Sequence, residues 1–153
     1  MEEIFPPKGK LIAYVDGSYN EALSKYAFGC VLLTPEGEVI ERNGSGSNGD
    51  SLAIRNVAGE MLGAMYAARY ACVKGYHDLE IRYDYEGIEK WVTGAWKAKK
   101  ELTQKYAAYM RSRQRYISIT FTKVRAHSGD TYNDRADALA KEGLTRPDGI
   151  PEV

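Results

Sequence analysis

Lys10 to Val15 is a short run of apolar and aromatic residues that predicts a strand, and Lys25–Thr34 and Glu38–Gly44 predict two more, parted by the turn triplet Pro35-Glu36-Gly37. Three strands in direct succession imply an antiparallel meander. Between Asn56 and Val73 the apolar residues Val57, Met61, Ala64, Ala68 and Ala71 recur at helical spacing, with Gly75 as a stop. Leu79, Ile81 and Tyr83 then alternate with Glu80, Arg82 and Asp84, the period of a strand. Ile88–Trp96 and Leu102–Arg113 read as helices, Tyr116–Val124 as the last strand, and Tyr132 to Glu142 as a closing helix that ends near Gly143. A strand–helix–strand crossover requires parallel pairing, so the order predicts an α/β fold. Its sheet is five-stranded and mixed, three antiparallel strands followed by two parallel ones, flanked by helices.

Composition narrows this only a little. The 153 residues fit one domain. Pro6 and Pro7 near the start, and Pro147, Gly149 and Pro151 near the end, mark 1–8 and 145–153 as tails around a domain spanning 9–144. Lys plus Arg and Asp plus Glu balance at 21 each, so any attraction for a polyanion must be local. No apolar run approaches the roughly 20 residues that cross a bilayer, and the start, Met1-Glu2-Glu3-Ile4, is acidic where a signal peptide is basic. The expectation is a soluble, cytoplasmic monomer with no membrane partner. Cys30 and Cys72 lack the spacing of a zinc or redox motif and are expected as small core residues in a reducing compartment.

The acidic residues change the picture more. Asp16, in Val15-Asp16-Gly17-Ser18, ends the first strand, and Asp84, in Tyr83-Asp84-Tyr85, ends the fourth. In open α/β sheets the functional crevice lies beyond the carboxyl ends of the parallel strands. Glu60, three residues after Val57 and four before Ala64, shares the apolar face of its helix, and Asp137 lies beside Ala136, near the side of the last helix that faces the sheet. Taken singly, each has an ordinary reading as a turn former, a rim residue or a solvated helix charge. Together they would place four negative charges in one crevice, where mutual repulsion opposes folding unless cations neutralise it. Oxygen ligands of this kind suit Mg2+ or Mn2+, and two such ions serve phosphodiester hydrolysis.

The same residues carry a resemblance. Asp16-Gly17-Ser18 on a strand, Glu60 in a helix, Asp84 closing another strand, and Val124-Arg125-Ala126-His127-Ser128-Gly129 leading to Asn133-Asp134-Arg135-Ala136-Asp137 resemble, in that order, type 1 ribonuclease H. The likeness covers nearly the whole domain, and its most specific part is the His-x-Gly loop followed by Asn-x-Arg-x-Asp. It implies an endoribonuclease that hydrolyses the RNA strand of RNA–DNA hybrids with two metal ions and leaves 5′-phosphate and 3′-hydroxyl ends. It further implies that Asp16, Glu60, Asp84 and Asp137 hold the metals and that His127 assists proton movement or product release. Asp134 competes for the fourth position, and the spacing from His127 favours Asp137. The chain departs from the family after the first strand, where Tyr19-Asn20-Glu21-Ala22-Leu23 replaces a glycine–asparagine–proline turn. Asn56 is the nearest match to the family's hybrid-contacting asparagine.

A hybrid duplex shows 2′-hydroxyls along a broad minor groove, and Gly17, Ser18, Asn56 and Asn133 are the candidates to meet it. Phosphate contacts are expected from Lys97, Lys99 and Lys100, interleaved with Trp91 and Trp96 in a version of the family's basic protrusion that looks shortened. Trp96 is the expected contact, whereas Trp91 is equally a core residue. Arg111, Arg113 and Arg115 read as a solvated helix end. Two other readings compete: a different nuclease or integrase-like enzyme of the same superfold, and a catalytically silent hybrid-binding module.

Overall fold

The structure, a computed structural model, describes residues 5–47, 56–125 and 131–153. Five strands, β1 (Lys10–Asn20), β2 (Lys25–Leu33), β3 (Val39–Gly46), β4 (Asp78–Tyr83) and β5 (Ser118–Lys123), form one sheet in the order β3-β2-β1-β4-β5. β1 pairs antiparallel with β2 and parallel with β4, β2 antiparallel with β3, and β4 parallel with β5. Four helices are described: α1 (Asn56–Val73), α2 (Gly87–Thr93), α3 (Glu101–Arg113) and α4 (Thr131–Gly143). The mixed five-stranded α/β sheet expected from the element order is the one observed.

Helices lie on both faces of the central strand. Leu11, Ala13 and Val15 join α1 and α3 in one apolar cluster, while Ile12 and Tyr14 join Ala136 and Leu139 of α4 in another. Burial on both sides explains why β1 is apolar without alternation, whereas β4 alternates: Leu79, Ile81 and Tyr83 are buried and Glu80 and Arg82 are not. Two glycines let the helices rest on strand backbone. A Cβ at Gly59 of α1 would come 2.9 Å from the Ala27 carbonyl carbon and 3.1 Å from the Gly17 Cα, and one at Gly29 of β2 would come 2.7 Å from the Ala140 nitrogen of α4. At Gly59 this close approach carries the next residue, Glu60, toward the end of β1.

The structure moves two boundaries and docks the segment expected as a tail. β1 does not stop at Val15: its ladder with β2 continues through Asp16↔Gly29 to Asn20↔Lys25, with Phe28 and Ala27 pairing with Gly17 and Ser18. α2 stops at Thr93, short of Trp96, because Gly94 takes a left-handed φ of 89°. The segment 145–153 forms no named helix or strand, yet it is docked. Ser45 and Gly149 exchange two backbone hydrogen bonds of 3.0 Å, and the Tyr66 hydroxyl donates to the Glu152 carbonyl at 2.9 Å.

Candidate active site

The parallel register of β1 with β4 ends at Tyr14↔Arg82, while β1 itself runs on with β2. A cleft therefore opens where the two strands part, and Asp16 and Asp84 flank it, the first on β1 and the second directly after β4. Glu60 reaches the cleft from α1 and is only 4% exposed. Its Oε2 accepts the Asp84 N–H at 2.7 Å and its Oε1 the Tyr85 N–H at 3.3 Å, so the amides at the end of β4 hold the carboxylate in place. Asp137 arrives from α4 on the other face of the sheet, with Lys141 Nζ 3.1 Å away on the next turn.

The acids feel one another. Burial, opposed by the Gly17 N–H donating to Asp16 Oδ1 at 2.9 Å and reinforced by the charges of Asp137 and Asp84, pushes the Asp16 carboxyl up to about 7; the Asp137 carboxyl is near enough to share a proton with it. Burial likewise raises Glu60 to about 8, helped by the charges of Asp16 and Asp84, although the Asp84 amide pulls the other way. Asp16 thus feels Asp84 and Asp137, and Glu60 feels Asp16 and Asp84, acids supplied by four separate parts of the chain. The α4 charge that reaches Asp16 is that of Asp137; Asp134 is exposed in the helix's first turn.

The donor set is all oxygen and negative, which fits a hard divalent cation and no softer metal. Among the described residues no three such side chains yet close on a single point as a finished cage would. Glu60 is spent on backbone amides and Asp137 on Lys141.

The remaining candidates separate. His127 lies outside the described residues, as does the side chain of Asn56, whose backbone begins α1. Gly17 and Ser18 sit beside Asp16 on β1, half-buried. Asn133 is buried, and its side-chain amide donates to the Arg125 carbonyl at 3.5 Å, tying the first turn of α4 to the chain that follows β5. Lys97, Lys99 and Lys100 are exposed and line a groove of about 370 Å³ with Val57, Tyr85 and Trp91, next to Glu60 and Asp84 in sequence. Trp96, the tryptophan expected to face the substrate, is half-buried and packs edge-on against Trp91 and Tyr85 at ring distances of 6.0 and 6.1 Å, below Lys90. Its position follows from Gly94: once α2 ends, the chain folds back and the Trp96 N–H donates to the Lys90 carbonyl at 3.0 Å. Arg111 is not merely solvated, since its guanidinium donates to the Val92 and Trp91 carbonyls at 2.9 and 3.0 Å. Tyr85 was missed by the sequence reading. An aromatic residue directly after the strand-ending aspartate, with Gly87 two positions on, was the available signal.

A mixed α/β sheet with its acidic residues collected beyond the parallel strands defines the class of protein. The family model RNase H matches residues 8–145, and the chain belongs to the RNase H family, one of nuclease hydrolases. Among its relatives is the ribonuclease HI of Halobacterium salinarum, 30% identical over 138 residues, an overlap that takes in 89% of this chain and 65% of that protein. The chain thus spans about two-thirds of that relative's length. In solved structures, the RNase H1 of the same archaeon superposes with a TM-score of 0.73 at 27% identity, covering 88% of this chain and 97% of the other. LC11-RNase H1 in complex with RNA/DNA hybrid superposes with a TM-score of 0.71 at 19% identity, covering 88% and 96%.

Proposed function

We propose that this chain is an endonuclease that hydrolyses the RNA strand of RNA–DNA hybrids, using two divalent cations, Mg2+ or Mn2+, held by Asp16, Glu60, Asp84 and Asp137. The observation that carries the reading is the gathering of these four carboxylates in one cleft, with Asp16 raised to about 7 and Glu60 to about 8 by burial and by their like-charged neighbours. A cluster that holds protons at neutral pH has a use for added positive charge. When bound, such cations activate a water and stabilise the leaving oxygen of a phosphodiester. The protein's own part is placement. The amides of Asp84 and Tyr85 orient Glu60, the Gly17 amide orients Asp16, and α1 and α4 bring Glu60 and Asp137 in from opposite faces of the sheet.

The substrate side follows from the lysine groove. Lys97, Lys99 and Lys100 beside Trp91 supply phosphate attraction and a flat apolar wall, a combination suited to a nucleic-acid backbone. Gly17 and Ser18, half-buried beside Asp16 on β1, are the groups that would read 2′-hydroxyls of an RNA strand. An RNase H1 of the same fold, LC11-RNase H1, holds an RNA/DNA hybrid. His127, from the segment ahead of α4, is assigned proton movement or product release by its place in the motif.

The test is a gel assay on an end-labelled hybrid, with duplex DNA and duplex RNA in parallel, each with and without magnesium. Cleavage confined to the RNA of the hybrid, dependent on magnesium and leaving 5′-phosphates, is the expected result. Equal cleavage of duplex DNA would point to another nuclease of the superfold, and binding without cleavage to a silent module.

A further inference from the structure

Tyr85 stands one residue past Asp84 and is 39% exposed. The ring packs on Trp91 at 5.8 Å and on Trp96 at 6.1 Å, and the two indoles meet at 6.0 Å, so the three aromatics form a closed triangle. Gly87 lies beneath it: a Cβ there would come 2.6 Å from the Tyr85 ring and 2.8 Å from the Trp91 ring. Trp91 is itself anchored, its carbonyl taking Arg111 from α3 at 3.0 Å. The short turn between β4 and α2 is therefore clamped from outside by aromatic packing. That turn carries the Asp84 carboxylate and both amides that hold Glu60, at 2.7 Å from Asp84 and 3.3 Å from Tyr85.

We propose that Tyr85, by packing on Trp91 and Trp96 across Gly87, is a positioning residue that sets the placement of the Glu60 and Asp84 carboxylates and so tunes the binding of divalent cations between them. The inference rests on the reading of those acids as metal ligands. A ring this exposed contributes little to the core, so its removal loosens the turn without unfolding the domain. Gly87 makes the sign of the effect diagnostic. At the first residue of a helix, replacement of glycine by alanine is ordinarily well tolerated. Under the clamp the added methyl instead wedges the rings apart.

The experiment compares Tyr85→Ala, Tyr85→Phe and Gly87→Ala with the parent chain. Magnesium chloride is titrated by calorimetry without nucleic acid, and kcat and KM are then measured on a hybrid. Tyr85→Ala and Gly87→Ala are expected to weaken magnesium binding about tenfold, the usual scale for groups that orient ligands, and to lower kcat with KM little changed. Tyr85→Phe keeps the ring and restores both. Parental magnesium affinity in Tyr85→Ala, or a loss confined to KM, overturns the proposal, the latter making Tyr85 a substrate contact. If the parent binds no magnesium, the metal reading itself fails. If it binds magnesium but cleaves no hybrid, the calorimetry still decides on the clamp.

Discussion

Where β1 and β4 part company beyond Tyr14 and Arg82, the molecule collects four carboxylates, buries one of them, and offers a groove of about 370 Å³ beside them. At the opposite end of the same strands lies a larger cavity of about 500 Å³, lined by Cys72, Val73, Tyr76, His77, Arg113 and Tyr116. That cavity has more room and a basic residue, but no acid lines it. Room alone does not mark a site. What distinguishes the first end is charge gathered against the interests of folding: acids pushed up to about 7 and 8 oppose stability at neutral pH and call for a ligand.

The sharpest way to break this contrast is Asp84→Asn. The exchange preserves shape and leaves the Asp84 amide free to donate to Glu60, so the fold should persist. Cleavage of a hybrid should fall on the order of a thousandfold, since metal-assisted charge stabilisation supplies several kcal/mol. Circular dichroism and a gel assay check the two halves of the statement, and a variant that cuts at the parental rate removes the cleft from consideration.

Acidity offers the next test. Asp16 and Glu60 hold their protons in the folded chain up to about 7 and 8, while unfolded carboxylates release theirs near 4. A folded-state pKa above the unfolded one contributes stability that is complete below the unfolded value and is lost as pH rises through the folded value. In chelator, then, urea unfolding should show stability falling by a few kcal/mol between pH 4.5 and 8.5. Millimolar magnesium should flatten that fall and raise Tm, because it binds only the folded state. Stability that climbs across this window, or that ignores magnesium, contradicts the electrostatic account of the cleft.

A packing change at Gly59 has a smaller effect but reaches the same cleft. Alanine there would favour the helix by about 1 kcal/mol, yet its methyl would meet the Ala27 carbonyl and crowd the Gly17 Cα at 3.1 Å. Overpacking of this kind costs about 1–3 kcal/mol. We expect a net loss in urea unfolding, together with reduced cleavage, since α1 carries Glu60. A stabilised, fully active variant would show that α1 has slack.

These positions also show what the chain disclosed before folding. The helix carrying Glu60 and the alternation of β4 were legible because their periodicity is local, repeated over several turns or pleats. The sheet-facing side of the last helix was readable from Ala136, Leu139 and Ala140, which the structure buries on β1 and β2, whereas the preference for Asp137 over Asp134 rested on the spacing from His127. The end of α2 was not readable. A glycine inside an apolar pattern is either tolerated or a stop, and only the left-handed backbone of Gly94 decides between them. The continuation of β1 past Asp16 depended on its pairing with β2, and the aromatic triangle around Tyr85 on the chain reversal that the left-handed Gly94 makes.

The far cavity should respond least. Tyr116 is 71% exposed there and rests against Arg113, whose guanidinium lies 5.3 Å from its ring and 5.4 Å from that of Tyr109. An exposed cation–π contact contributes about 0.5–1 kcal/mol, and Arg113 keeps Tyr109 when Tyr116 is removed. Tyr116→Ala should therefore cost less than about 1 kcal/mol in urea unfolding. Its cleavage rate and magnesium dependence should match the parent, because no residue lining that end faces the acids. A variant that folds normally but loses cleavage would mean that the larger cavity communicates with the cleft along β4, and the distinction between the two ends would have to be redrawn.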